Sequence, residues 1–199
     1  MPDRRKKTQK RVAIGVEITG SRATIVVVDC HGMIHHRFHA KTLRGRPAIA
    51  TLEPYVRSIE AALSYAKSNR FHVYGIGISL PGILDLTTRR PEMIPILPAL
   101  NKFPLCDLLE ERYKVPTTLH VDVDAALMGE YCFGAGKGFR SLLYLNVNSV
   151  VGAALIVDGK VQTSEQAYVG HVCHLPVSMS GSRCSCGRYG CINTLISME

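Results

Sequence analysis

Hydrophobic residues follow two different periods along the first part of the chain. Residues 12–18 and 22–29 are short apolar runs rich in Val and Ile, and residues 33–40 alternate loosely between apolar and polar. Glycine-containing turns separate the three, which predicts three consecutive strands. Residues 51–69 instead carry apolar side chains every three or four positions, which predicts a helix, and 73–79 predict another buried strand. The helix has Thr51 as its candidate N-cap and a stripe formed by Val56, Ile59, Leu63 and Ala66.

The second part of the chain repeats some of this order. Asp158-Gly159 is a strong type I′ hairpin signal after two apolar runs, so a second three-stranded meander is expected. Because this meander echoes the first, the pattern indicates an internal duplication with a domain border near residue 120. The elements predicted here are helices at 104–114 and from residue 122, and strands at 116–121, 141–146 and 150–157.

Positive charge is concentrated at the start of the chain. The net charge is +8, and without the first eleven residues the charges nearly balance. A basic run could contact nucleic acid electrostatically, but such runs are more often solvated termini or linkers. We therefore predict a basic, disordered tail over residues 1–11, whose positive residues are Arg4, Arg5, Lys6, Lys7, Lys10 and Arg11.

The composition argues against a membrane or secreted protein. No apolar run approaches the ~18 residues that a transmembrane helix needs. The first residues lack the apolar core of a signal peptide. Seven cysteines, an odd number partly clustered with a histidine, suit a reducing compartment and a metal. These features predict a cytoplasmic protein with no membrane partner.

Three cysteines and a histidine form the most distinctive cluster. Cys184, Cys186 and Cys191 lie within eight residues, and His174 precedes them by ten. Thiolates and a neutral imidazole are the usual ligands of a closed, structural zinc site. A disulfide would leave one cysteine over, and Cys184 and Cys186 are too close in sequence to bridge comfortably. Unpaired buried cysteines would not explain the alternation with glycine. Zinc is therefore the favoured interpretation.

The same residues carry a family resemblance. The patterns Gly170-x-x-x-His174 and Cys184-x-Cys186-Gly187-x-x-Gly190-Cys191 resemble the zinc motif of the ROK family, which contains sugar kinases and sugar-responsive transcriptional repressors. The resemblance extends from about Val12 to the end of the chain. It implies an α/β fold of the ribonuclease H-like, actin and sugar-kinase type. The first lobe would then cover residues 12–120, and residues 121–199 would begin a second lobe that ends before it is complete.

The resemblance also implies a sugar site. The run Val121-Asp122-Val123-Asp124-Ala125-Ala126 is similar to the family's Asn-Asp-x-Asn-Ala-Ala motif, so Asp122 matches the general base that deprotonates a sugar hydroxyl. The alternative is that Asp122 only caps a helix, and the repressor branch of the family keeps this residue too. Pro81-Gly82 matches a turn that borders the sugar, although a plain turn explains it equally well.

Other positions of the implied sugar site are altered. His171 stands where the family has a glutamate that accepts bonds from sugar hydroxyls, and Asn193 replaces a second glutamate. Asn193 can still hydrogen-bond hydroxyls, though without charge assistance. His174 would bind zinc through one ring nitrogen and offer the other to the sugar.

The phosphate-binding pattern of the kinases is eroded. ROK kinases hold ATP with two glycine-rich hairpins, and in this chain Thr19, Asn148 and Val150 replace three of their glycines. A β-branched valine cannot readily adopt positive φ and projects methyl groups toward an approaching phosphate. This counts against tight ATP binding. The positions that remain comparable to the family's are Glu17, Gly20, Ser21, Ser149 and Gly152.

These features favour a non-catalytic, sugar-sensing protein of the transcriptional-regulator type, with structural Zn²⁺ and a hexose or hexose derivative as ligand. DNA contact would need a domain absent from this chain, and the family implies a homodimer if the second lobe were complete. The alternative is a glucokinase-like enzyme that uses ATP and Mg²⁺ to phosphorylate a hexose. A third interpretation is a degenerate lobe that retains only zinc.

Overall fold

The computed structural model describes residues 9–148, 150–163, 170 and 172–197. The chain has an α/β fold that divides between His120 and Val121 into two compact units. None of the helices in the described part of the chain has the length and apolar character that a membrane span requires.

The described residues of the first unit form seven strands and two α-helices. Its strands are β1 (Arg11–Ile18), β2 (Arg22–Asp29), β3 (Ile34–Lys41), β4 (His72–Leu80), β5 (Ile83–Asp85), β6 (Arg90–Met93) and β7 (Thr117–Val121). Five of them form a sheet in the order β3-β2-β1-β4-β7. β1 pairs antiparallel with β2 and parallel with β4. The predicted meander and the strand after the helix are therefore confirmed. The helices are α1 (Ala48–Ser68) and α2 (Leu105–Tyr113), with a short 3-10 helix at Pro98–Leu100.

One face of this sheet carries the core. Alternate residues of β1, from Val12 to Ile18, are at most 3% exposed, because successive side chains of a strand point to opposite faces. Each such aliphatic side chain contributes about 1.5–3 kcal/mol to folding when fully buried. α1 contributes a buried stripe with helical spacing, formed by Leu52, Tyr55, Ile59, Ala62 and Ala66.

α1 differs from the prediction at its start and in its buried face, where Ile59 and Ala66 are buried as predicted but Val56 and Leu63 are only half-buried. The helix begins at Ala48, directly after Pro47, rather than near Thr51. Thr51 lies inside the helix, 1% exposed, and its hydroxyl donates to the carbonyl oxygens of Leu43 and Arg46. It anchors the preceding loop instead of capping the helix.

The segment that follows β4 contains two short strands. β5 and β6 pair as a short antiparallel hairpin. The Asp85 carboxylate accepts the backbone N–H groups of Thr87 and Thr88, which fixes the turn between them. Gly82 has a φ of +133°, and a Cβ at this position would overlap with the carbonyl oxygen of Met93. Only glycine suits this close approach.

The second unit contains a three-stranded sheet in the order β10-β9-β8. Its elements are α3 (Asp122–Phe133), β8 (Leu142–Val147), β9 (Val151–Val157), β10 (Lys160–Val161), a 3-10 helix (Val172–His174) and α4 (Asn193–Ile196). Asp158 and Gly159 have φ values of +50° and +76°, as a type I′ hairpin turn requires, so this predicted turn is confirmed. α3 packs on the sheet so closely that a Cβ at Gly152 would lie 2.7 Å from a methyl group of Val123.

The predicted basic tail is too long at its inner end. Arg11 is the first residue of β1. The Lys10 ammonium lies 2.8 Å from the Asp29 carboxylate, a distance that identifies an ion pair. Lys10 and Arg11 therefore belong to the folded unit, whereas Arg4, Arg5, Lys6 and Lys7 lie outside the described residues.

Candidate metal centre and flanking site residues

The structure brings the four predicted metal ligands together. One ligand atom from each of His174, Cys184, Cys186 and Cys191 lies within 4.8 Å of all the others. The Nδ1 atom of His174 is 3.4 Å from the Cys184 sulfur, and the sulfurs of Cys186 and Cys191 are 3.7 Å apart. Cys184 and Cys191 are buried, His174 is half-buried and Cys186 is exposed.

Tight turns of the loop make this convergence possible. Residue pairs Pro176–Cys191 and Arg183–Tyr189 form isolated antiparallel bridges that bring the two sides of the loop together. Gly190 has a φ of +64°, and a Cβ there would overlap with the carbonyl oxygen of Ser178. The glycine is therefore required by both conformation and space.

The donor set and its spacing fit a tetrahedral zinc ion. Zn–S bonds of about 2.3 Å and Zn–N bonds of about 2.0–2.1 Å imply tetrahedral edges of about 3.8 Å between sulfurs and about 3.6 Å between sulfur and nitrogen. The two distances above are close to these edges. All three cysteines are free thiols, so the disulfide alternative is not what the structure has.

The thiols of this cluster differ in acidity. The backbone N–H of Arg188 faces Cys186 and is the main reason that the pKa of this thiol is lowered. Burial raises the pKa of Cys191, with the neighbouring thiols adding to the effect. A metal ion must displace protons from its thiol ligands, and its charge would stabilise the resulting thiolates.

Asp122 lies in the first turn of α3, where the sequence pattern places a candidate base. It is the first helical residue, one position after the N-cap residue Val121 rather than at the predicted N-cap position itself. Its carboxylate accepts the backbone N–H of Val123 at 2.9 Å. The positive end of the helix dipole favours a negative charge here. Burial, helped by the charge of Asp122, raises the pKa of Asp124 to about 6.

Asn193 has a partner that the sequence did not reveal. It is the first residue of α4, and its Oδ1 atom accepts a hydrogen bond from the backbone N–H of Val151 at 2.8 Å. Val151 is the first residue of β9 and is 2% exposed. The side-chain oxygen predicted to receive a sugar hydroxyl is therefore engaged within the second unit. No sequence signal identifies this pair, since 42 positions separate the two residues.

The turn between β1 and β2 is also engaged by the protein itself. The Thr19 hydroxyl donates to the carbonyl oxygen of Arg22 at 2.8 Å. Arg44 donates from Nε to the carbonyl oxygen of Gly20 at 2.7 Å, and its guanidinium occupies the space that a Cβ at Gly20 would need. Sequence reasoning missed Arg44 because it comes from the segment after β3. Ser21 is the last residue of this turn, and Glu17, near the end of β1, is exposed.

The other predicted sugar- and phosphate-binding residues lie in several separate segments of the chain. Pro81 and Gly82 link β4 to β5 in the first unit. Gly152 lies in β9 of the second unit, against α3. His171 and Ser149 lie outside the described residues.

Comparison with known proteins identifies relatives along nearly the whole chain. The profile of the ROK family matches residues 13–199. The DNA-binding transcriptional repressor Mlc of Escherichia coli is 32% identical over 124 residues, which are 62% of this chain and 30% of the repressor. A glucokinase of Halalkalibacterium halodurans is 26% identical over 189 residues, which are 92% of this chain and 56% of the kinase.

Solved structures agree with this assignment. The crystal structure of a ROK hexokinase from Thermus thermophilus matches with a TM-score of 0.79 and 27% identity, over 94% of this chain and 60% of the hexokinase. This similarity confirms the predicted α/β fold of the ribonuclease H-like, actin and sugar-kinase type. The chain spans between 30% and 60% of the length of the three proteins compared.

Proposed function

The chain belongs to the ROK family, and on this premise we propose that it is a non-catalytic, sugar-sensing protein of the transcriptional-regulator type. Its ligand would be a hexose or a hexose derivative. Relatives include both the repressor Mlc and a glucokinase, so family membership alone does not choose between a sensor and an enzyme.

The hydrogen bonding of the β8–β9 hairpin is the main support for this proposal. Phosphoryl transfer needs preorganised donors, such as backbone N–H groups, that are available to the phosphates. Here the N–H of Val151 already donates to Asn193, and Val150 stands where a kinase pattern has glycine. In the first unit, the N–H of Thr19 donates to the carbonyl oxygen of Arg22, and the Arg44 side chain fills the space beside Gly20. Both hairpins thus satisfy or cover their own backbone, which disfavours ATP.

We propose that Zn²⁺ is held by His174, Cys184, Cys186 and Cys191. With four protein ligands the site is closed, so the ion would supply structural stability and orient its ligands. Since Nδ1 of His174 faces the cluster, Nε2 is left to hydrogen-bond a sugar hydroxyl. Free thiols of this kind suit a cytoplasmic location.

The proposed sugar contacts are the positions at which the chain resembles the family's sugar-binding motifs. Asp122 would accept a bond from a sugar hydroxyl without removing its proton in a chemical step. Asn193 would contribute its Nδ2 donor, because Oδ1 is engaged by Val151. Pro81-Gly82 and His171 are proposed as further sugar contacts. DNA binding would be the task of a domain outside these residues, and a homodimer is the assembly we propose for the complete protein.

Calorimetry tests the proposal directly. Zinc-loaded protein is titrated with a panel of hexoses and their N-acetyl forms, with and without ATP and Mg²⁺, and ADP release is measured in a coupled assay. The sensor function predicts sugar binding that Asp122→Ala weakens, with neither ATP binding nor ADP release. Sugar-dependent ADP release that disappears in Asp122→Ala would overturn it.

The second candidate is an ATP-dependent hexose kinase that uses Mg²⁺. The position of Asp122 in the first turn of α3 favours it, because a general base must stay ionised there and the helix dipole supports that charge. Absence of any sugar binding in the same titration would instead leave only a zinc-stabilised lobe.

A further inference from the structure

One contact connects residues 174–191, which carry the four proposed metal ligands and are called the metal loop below, to the β8–β9 hairpin. Asn193 follows the metal ligand Cys191 by two positions, and its Oδ1 accepts the backbone N–H of Val151 at 2.8 Å. Val151 is the first residue of β9, and Val147 is the last residue of β8. Since Val151 is 2% exposed, its N–H needs a partner inside the protein, and Asn193 supplies it.

The position of Asn193 depends on the metal loop. Cys191 is fully buried. The N–H of Ile192 donates to the carbonyl oxygen of Leu175 at 2.9 Å, next to the ligand His174. Thr194 donates both its N–H and its hydroxyl to the carbonyl oxygen of Cys191, at 2.9 and 2.8 Å. α4 is thus tied at its start to the backbone of the loop that holds the four ligands.

Both residues of this contact lie at weakly anchored places: Val151 at the end of a strand ladder and Asn193 in a short helix. The β8–β9 ladder ends at the pair Val147–Val151, so Asn193 holds the last residue of the ladder. α4 has only four residues and its described residues are not buried, so helix packing by itself does not hold it in place. Removal of the metal would therefore free Asn193 before it disturbed the rest of β9.

We propose that Asn193 is a positioning residue that couples occupancy of the metal site to the conformation of the β8–β9 hairpin. With the metal bound, Asn193 holds Val151 and keeps its N–H from any other acceptor. Without the metal, the hairpin opens and this N–H becomes available. The inference rests on the proposed zinc site, and it gives Asn193 a second role beside the proposed sugar contact of its Nδ2 group.

Amide hydrogen exchange, followed by NMR on the full chain, tests the coupling. The samples are wild type, Asn193→Ala, Asn193→Asp and the control Leu195→Ala, each with zinc and after chelation. Leu195 lies in the same helix and is 51% exposed. Asn193→Asp keeps an acceptor oxygen. With zinc, exchange at Val151 should be about tenfold faster in Asn193→Ala than in wild type, because its hydrogen bond is lost. Asn193→Asp and Leu195→Ala should keep the protection.

The coupling requires that removal of zinc and removal of the Asn193 side chain do not have additive effects on amide exchange at Val151. Chelation should accelerate exchange at Val151 in wild type and add little in Asn193→Ala. The amide of Ile156, deeper in β9, distinguishes hairpin opening from unfolding of the whole sheet, because only unfolding accelerates both amides.

Results that overturn the coupling can be distinguished from results that overturn the proposed zinc site. Equal acceleration by chelation in wild type and Asn193→Ala, or full protection of Val151 in Asn193→Ala, overturns the coupling. Zinc content, measured on the same samples, decides the premise. Wild type without bound zinc overturns the proposed site and the coupling together, whereas one bound zinc with unchanged Val151 exchange overturns the coupling alone.

Discussion

At the scale of single residues, buried polar side chains tie the turns of this protein to its strands. Asp29 is the clearest case: it ends β2 and binds Lys10 at 2.8 Å and His35 at 3.0 Å. It also accepts the backbone N–H groups of His31 and Met33. The Lys10 ammonium, followed by His35, holds the pKa of Asp29 well below its ordinary value. The ionised form therefore stabilises the folded state.

We predict that Asp29→Asn destabilises the protein at neutral pH and that this difference from wild type shrinks in acid. Because the folded-state pKa is depressed, the stabilisation is present above the unfolded value of 3.8 and is lost as pH falls below it. Urea unfolding at several pH values between about 6 and 2.5 measures the difference. Glu53→Gln, which removes an exposed ion pair with Arg57, is the control and should change little. A difference that stays constant with pH would contradict the prediction.

At the scale of elements, the metal loop contains two glycines that are required for different structural reasons. Gly190 needs both its positive φ and the space that a side chain would take from Ser178. Gly187 has a φ of +88° but has no atom near the position of a Cβ. The two positions separate the cost of backbone strain from the cost of a collision.

Gly190→Ala should therefore damage the metal loop far more than Gly187→Ala. We expect Gly190→Ala to abolish stoichiometric zinc binding, because Cys191 cannot keep its place beside a displaced residue. Gly187→Ala should retain zinc and lose about 1–2 kcal/mol of stability from strain alone. Zinc content and the midpoint of urea unfolding measure both effects. Equal zinc content in the two variants would refute this difference.

β8 exposes apolar side chains at the edge of a sheet. It is the outer strand of the three-stranded sheet formed by the described residues, and its alternate residues Leu143, Leu145 and Val147 are 59%, 58% and 44% exposed. An apolar strand at the edge of a sheet invites pairing with another chain.

We predict that the 199-residue chain self-associates through β8. Leu145→Lys should shift the concentration dependence of the apparent mass, measured by light scattering, toward the monomer. Ile49→Lys is the matched control, since Ile49 is 63% exposed but lies in α1. An equal effect of both substitutions would indicate that added charge, rather than the β8 edge, controls association.

At the scale of the whole molecule, two compact units share one chain, and all four proposed metal ligands lie in the second. A ligand that binds only a folded state stabilises the unit that contains its site. Chains with two units need not unfold in a single transition.

Chelation should therefore lower the thermal midpoint of the second unit and leave the first unit nearly unchanged. Amide signals of Ile25, in β2, and of Ile156, in β9, report the two units separately during a thermal ramp. Restoring zinc should reverse the change. Equal lowering at both amides would show that the two units unfold together.

The sequence by itself determined the strands of the first meander, the turn between β9 and β10 and the candidate metal ligands. The strand runs of the first meander and the Asp158-Gly159 turn follow local rules, because side-chain alternation and positive φ depend on neighbours along the chain. The ligands His174, Cys184, Cys186 and Cys191 were recognisable because they are close in sequence and unusual in kind.

Only the tertiary structure decided which groups are already engaged. The pairs Asn193–Val151 and Arg44–Gly20 join segments 42 and 24 positions apart. The burial of Thr51 within α1 likewise depends on the preceding loop, with which it forms hydrogen bonds. Contacts of this kind depend on how separate segments pack, so no local pattern predicts them. They changed Asn193 from a candidate sugar ligand with a free oxygen into a residue that holds a hairpin.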